Sequence, residues 1–461
     1  MNQSQDGTFM ESESIPRLLR RFAAPALVGM FANALYNIVD RIFVGQVVGP
    51  LGIAAIAISF PCMLFFISVS FLIGVGGASR VSILMGERKQ RRAEQTLGNS
   101  LFLSLAGGLL IMVIARFFFA RILILSGASE TLFPEAAAYL SVIIYGIVFG
   151  IVGFSMSYQI RACGSPLYAS CTQVIGALSN IFLDAAFVIG LDMGVRGAAI
   201  ATVISQFIAM CWVLAYFKLP KAALKLRFNF VIKPDLGTIV RIFAVGTPAC
   251  LVNLNFVLVH GMITNASSTY GGDLAVSATG IFMSMDSLLF MPAVALSEAC
   301  QPIVGYNYGA GRIDRVIATI KTGLIVTTIF YAISFIALMR YAEYMVMLFN
   351  STDSELIRIA SRAIRFANIG IPVMSVTLLT TALLQGLGRG REGMILAVIR
   401  FGVFLWIPLL ILPRYFGLLG TWLSFPVSDI CGSIASGIFM FFTILKLKRG
   451  DDINGSDLGK R

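Results

Sequence analysis

Apolar stretches of about 20 residues or more follow one another along nearly the whole chain, separated by short connectors that gather the charged side chains. Hydrocarbon offers no partner for an unpaired backbone amide or carbonyl, so runs of this length are helices; the alternative closed barrel needs much shorter, alternating segments. The pattern predicts helices over 22–48, 51–84, 96–119, 134–161, 166–190, 195–218, 238–269, 274–303, 314–341, 356–385, 392–412 and 416–446. That is an all-α polytopic membrane protein with about twelve transmembrane helices. The first run follows Arg17, Arg20 and Arg21 and continues too long and too polar for a cleavable signal, so it is expected to be retained.

The polar positions repeat as well. Pro25 and Ala26 correspond to Pro248 and Ala249, Leu51 to Leu274, Gly86 to Gly309, Arg92 to Arg315, Gly194 to Gly417 and Gly197 to Gly420, all at a spacing of 223 residues. One register across six helices describes a duplicated bundle. Six crossings per copy make the copies parallel, two pseudo-symmetric six-helix lobes of the kind found in alternating-access carriers. The expected organisation is an N-lobe over 1–217, a basic cytoplasmic linker over 218–237, a C-lobe over 238–447 and a cytoplasmic tail over 448–461. A merely larger helix bundle is the alternative that duplication leaves open.

Composition strengthens the membrane reading: 57% of residues are hydrophobic and 13% charged, and the mean hydropathy is +0.87. The net charge of +12 would suggest nucleic acid in a soluble chain. Here it sits in alternate connectors: Arg88, Lys89, Arg91 and Arg92; Lys218 to Lys233; Arg312 and Arg315; Arg389 and Arg391. By the positive-inside rule these face the cytoplasm, with both termini, and no nucleic acid partner is expected. The seven cysteines have no paired spacing and read as packing residues, implying neither disulfide nor metal.

Charged and amide groups inside the runs carry the candidate chemistry. Asn33, Tyr36, Asn37 and Asp40 share one face of the first helix at helical spacing. Asn180 lies one turn before Asp184 in the fifth, after Gln173, and Thr202 one turn before Gln206 in the sixth. A carboxylate in mid-membrane costs about 2.5–3.5 kcal/mol on insertion scales and usually lines a cavity or pairs. Counted at 1.5 Å per residue, Asp40, Asp184 and Thr202 fall roughly 9–13 Å below the outer ends of their helices, at one level. Two carboxylates against apolar walls suit proton or cation exchange, with a buried network that only fixes packing as the alternative. Pro25, near the start of the first helix, is a candidate hinge. The second half offers His260, with Asn253, in its first helix, and Asp286 and Glu298 in its second.

The run Tyr36-Asn37-Ile38-Val39-Asp40 followed by Phe43-Val44-Gly45, the segment from Gln301 to Ala310, and Asn180 with Asp184 resemble the multidrug and toxic compound extrusion (MATE) transporters over nearly the whole chain. The resemblance implies secondary active efflux of cationic amphipathic small molecules by proton or sodium antiport, with no cofactor. It places the ion-coupling residues at Asp40, Asn180, Asp184 and Thr202, and also points to Tyr139. Tyr139, Asn33, Tyr36, Asn37, Gln206, His260 and Asp286 are the candidate substrate-cavity residues. No metal is expected beyond a possible Na+ at the ion-coupling set. The expected setting is the plasma membrane of a bacterium or archaeon, as a monomer among membrane lipid. A second-lobe sodium site in the seventh and tenth helices is not expected, because those helices offer His260 and only Ser375, Thr377, Thr380 and Thr381. A lipid-linked oligosaccharide flippase of the same superfamily is the alternative; its pyrophosphate calls for a more cationic cavity. A membrane-embedded enzyme, the alternative of another class, would need a nucleophile, a metal set or an acid/base pair at an accessible depth; one histidine, no ligand-spaced cysteines and no phosphate-cradling loop leave little for it.

Overall fold

The structure is a computed structural model and describes residues 9–126, 128–349 and 353–450; most of the predicted tail lies outside them. The spanning helices are α1 (Ile15–Val47), α2 (Pro50–Gly86), α3 (Gln90–Phe117), α4 (Phe133–Ala162), α5 (Pro166–Asp184) and α6 (Gly194–Tyr216). The second set is α7 (Leu236–Gly272), α8 (Leu274–Gly309), α9 (Ile313–Met347), α10 (Ser354–Ala367 with Ile371–Gly386), α11 (Gly390–Phe416) and α12 (Leu418–Arg449). Eleven are single helices long and apolar enough to cross a membrane, and α10 makes a twelfth as a pair bent by 52°. The expected all-α membrane fold is the one observed, in two units.

Prolines open several of these helices, as at Pro50 and Pro166, where the missing amide hydrogen would be unpaired anyway. The tight joints between helices use left-handed backbone. Gly49 (φ 82°) has its counterpart at Gly272 (φ 65°), Arg88 (59°) at Gly311 (72°), and Gly194 (57°) at Gly417 (55°), each pair 223 residues apart. The sequence repeat is therefore also a repeat of turn geometry.

Four departures from the sequence expectations have local causes. Helix α1 begins at Ile15, seven residues before 22, because its first turns carry Arg17, Arg20 and Arg21, which an apolar-run criterion leaves out, and Pro16 sits in a tolerated first-turn position. Pro25 consequently lies well inside α1 and not near its start. Helix α10 does not run unbroken from 356 to 385: it bends at Asn368–Gly370 and restarts with Pro372 in its first turn. Helices α5 and α11 pass into π-helical winding at Ala185–Gly190 and Val398–Trp406.

By packing, the chain divides into Met1–Leu254 and Asn255–Arg461. In the first unit α1 packs on α5, and α4 on both α2 and α6. The opening turns of α7 belong to this unit, because Gly76 of α2 and Gly246 of α7 bring backbones together. A Cβ on Gly76 would strike the Ile242 carbonyl oxygen, and one on Gly246 the Leu72 carbonyl oxygen. Small residues permit such close approach in membranes. The strap before α7 is ordered: it contains a short helix (Phe228–Ile232), Phe230 packs against Gly98, and Arg227 pairs with the buried Glu94 of α3. In the second unit α12 packs on α10 and α11, and α9 on both segments of α10.

Candidate ion and substrate site

In the first unit the polar face of α1 meets the polar faces of α5 and α6. Asp40, Asn180, Asp184, Thr202 and Tyr139 are all buried. Helix α1 approaches α5 closely at Gly29, where a side chain would collide with the Gln173 amide. The Asn180 side-chain amide donates to Thr202 Oγ1 at 3.5 Å, and Tyr139 shares a hydrogen bond with Thr202. Asp184 lies in the field of Asp40, and Tyr36 and Tyr139 lie in the fields of both carboxylates. Five residues predicted from α1, α4, α5 and α6, together with Tyr36, thus form one electrostatic group.

Both carboxylate oxygens of Asp184 and the side-chain oxygen of Asn180 are buried and have no hydrogen-bond partner among the described residues. The surroundings explain the isolation: Val44, Val188, Val195, Ala198 and Ala199 form one buried apolar cluster with Tyr139. A negative charge held there requires a counter-charge. The acceptors are oxygens only, from carboxylate, amide and hydroxyl, which suits a proton or a small hard cation.

Other predicted residues lie elsewhere. Asn37 is exposed and donates to the Asn33 carbonyl (2.8 Å) and side-chain oxygen (3.2 Å), and it is joined to the group only through its bond with Tyr36. Gln206 turns toward α4, where its side-chain oxygen meets Gly146 and Gly150, so one-turn spacing from Thr202 did not place it in the group. Pro25 is half-buried inside a continuous α1.

The MatE family profile matches residues 25–186 and 248–411, covering both repeats. The chain belongs to the MatE family. This MATE protein is similar to the multidrug export protein MepA of Staphylococcus aureus strain MSSA476, with 24% identity over 94% of this chain and 95% of that protein. Its counterpart in Staphylococcus haemolyticus is 27% identical over 93% and 94%. Members of the family are transporters, not enzymes. Among solved structures, a MATE protein in a bent conformation superposes with a TM-score of 0.90 at 23% identity, covering 96% of this chain and 98% of that one. A MOP-superfamily transporter from Pyrococcus furiosus, described as having a binding pocket of reverse polarity that suggests a different function, gives 0.87 at 24% identity over the same shares. These likenesses establish the fold.

In the second unit of the MATE chain, half-buried His260 packs edge-to-face on Phe256 at 5.0 Å. Asp286 of α8 lies in the field of Asp429 of α12. Asp429 in turn pairs with Arg400 of α11 at 3.5 Å, with both side chains largely buried. Asp286 is thus an expected site residue, whereas Asp429, Arg400 and Tyr331 were not expected from the sequence. Arg400, a lone cation within the apolar run from Met394 to Trp406, was a sufficient signal for an intramembrane charge group.

Proposed function

We propose that this MATE protein is a multi-pass plasma-membrane exporter of cationic amphipathic small molecules, driven by inward proton or sodium movement. In this reading Asp40, Asn180, Asp184 and Thr202 exchange the coupling ion. The observation that carries it is Asp184: a carboxylate buried in an apolar wall, with no hydrogen-bond partner for either oxygen among the described residues, in the field of a second carboxylate. Proton or Na+ and a cationic substrate compete for that charge, and competition for one charge is the simplest coupling between influx of one and efflux of the other. Full-length similarity to multidrug export proteins supports the substrate class. The basic connectors support a cytoplasmic location for both termini under the positive-inside rule. The lipid-linked oligosaccharide reading is disfavoured by the acidic character of the group, since a pyrophosphate needs cations.

The test uses proteoliposomes loaded with ethidium under separately imposed proton and sodium gradients. Wild type should move dye under one of the two. Asp184→Asn should slow it at least tenfold, a barrier increase of about 1.4 kcal/mol or more, and Asp40→Asn should act in the same direction. Undiminished transport in folded Asp184→Asn protein would remove the assignment of that carboxylate.

A further inference from the structure

The second unit does not copy the acidic group of the first. One repeat on from Asp40 and Thr202 stand Ile263 and Phe425, which belong to an apolar cluster with Leu405, Leu409 and Met283. The second unit's charges come from other positions. Asp286 lies on α8, Tyr331 on α9, Arg400 in the π-helical winding of α11, and Asp429 on α12. The backbone makes room for them: Gly370, at the bend of α10, lies against Asp429 and Pro426, and Gly432 lies against the aliphatic stem of Arg400, 3.1 Å from where a Cβ would stand to Cγ.

The charges do not balance. Arg400 is engaged by Asp429 at 3.5 Å. Asp286 remains, in the field of Asp429, and no described side chain hydrogen-bonds to it. With both carboxyls ionised, the group holds one negative charge beyond what its guanidinium neutralises. Beside it, Tyr331 is 1% exposed and lies in the fields of Asp286, Asp429 and Arg400, yet its hydroxyl has no hydrogen-bond partner among the described residues. Leaving such a buried group unmatched is unfavourable. An excess carboxylate and an unused hydroxyl at one place are complementary to a ligand that brings one positive charge.

The walls say which kind. Tyr331, Phe282 and Trp422 belong to one buried cluster flanked by Met285, Phe330 and Phe425. Aromatic faces attract delocalised cations, and methionines adapt to irregular apolar shapes. A hard metal ion is a poor fit, since it would want six or more oxygen ligands and no group of three His, Cys, Asp or Glu residues suited to a metal occurs among the described residues.

We propose that the second unit contains its own site for an aromatic organic monocation, with Asp286 as counter-charge, Tyr331 as polar anchor and the Phe282–Trp422 cluster as wall. The site rests on the export reading for its substrate class, yet it uses none of the first unit's acidic residues. The Arg400–Asp429 pair is a positioning element: it neutralises Asp429 so that one charge, rather than two, is presented.

The experiment is carbodiimide footprinting of purified wild-type protein with and without saturating ethidium, followed by peptide mass spectrometry at Asp286 and at Asp184. Ethidium should slow modification of Asp286 by fivefold or more. In binding titrations by fluorescence anisotropy, Asp286→Asn should weaken ethidium at least tenfold, Asp286→Glu should recover most of that, and Tyr331→Phe should weaken it about threefold. Protection at Asp184 alone, with unaltered affinity in Asp286→Asn, overturns the second site and leaves the export reading standing. Protection at Asp286 without gradient-driven transport supports the site while removing the export reading. Loss of proton uptake in Asp286→Asn with ethidium affinity intact would make Asp286 a proton carrier and overturn the organic-cation assignment.

Discussion

Tyr139 shows how a single residue can hold the buried acidic group together without carrying charge. Its ring is packed in the apolar cluster while its hydroxyl bonds to Thr202, which in turn accepts from Asn180. Removing the hydroxyl leaves the packing and breaks one buried bond, so Tyr139→Phe should destabilise the protein by about 1 kcal/mol; thermal unfolding in detergent measures this. Asp40, Asn180, Asp184 and Thr202 could be read from the sequence because amide and carboxylate groups recur there at one-turn spacing within apolar runs. Gln206 has the same spacing but a rotamer that the sequence does not specify. Arg400 and Asp429 each lack an amide or a second carboxylate one turn away, so no such periodicity announces them, and only the fold shows that they pair.

At the scale of elements, apolar run length predicted each span, whereas breaks that depend on tertiary contact stayed hidden. The bend of α10 is one: Gly370 accepts the close approach of α12 there, with a Cβ standing 2.6 Å from Asp429 Cβ and 3.0 Å from Pro426 Cα. Helix starts are more local. Asp235 precedes α7 and accepts from the Thr238 hydroxyl at 2.6 Å and its amide at 2.8 Å. These bonds, the hydroxyl's first, hold the Asp235 carboxyl below its ordinary range. A depressed carboxyl contributes stability that is fully present above the unfolded-state value and is lost as pH falls through the folded one. Losing these two bonds in Asp235→Ala should cost about 1 kcal/mol at neutral pH, the charge part of it being screened by solvent at this exposed site. The gap from wild type should narrow as pH is lowered below about 3.9, which thermal melts at stepped pH would follow.

For the whole molecule, the repeat was the most informative sequence signal, and it reappears in matched left-handed joints. The strap between the repeats looked from composition like a solvated basic linker; the structure ties it down through Glu94, which pairs with Arg227 and accepts from the Lys225 amide at 3.3 Å. Because Arg227 is largely exposed, the pair is worth far less than a fully buried one, and Glu94→Ala should cost about 1–2 kcal/mol. It should also speed trypsin cleavage after Lys225 and Arg227, seen on a gel time course; an unchanged rate would mean that packing of Phe230 at Gly98 suffices to hold the strap.

The reciprocal contact of Gly76 and Gly246 means that the boundary between repeats is not the boundary between packed bodies: α7 opens the second copy of the sequence while its first turns are built into the first unit. A chain cut in the strap would yield two polypeptides that must share one packed body. Each would be an incomplete subunit, and together they would behave as an obligate heterodimer joined through bare backbone.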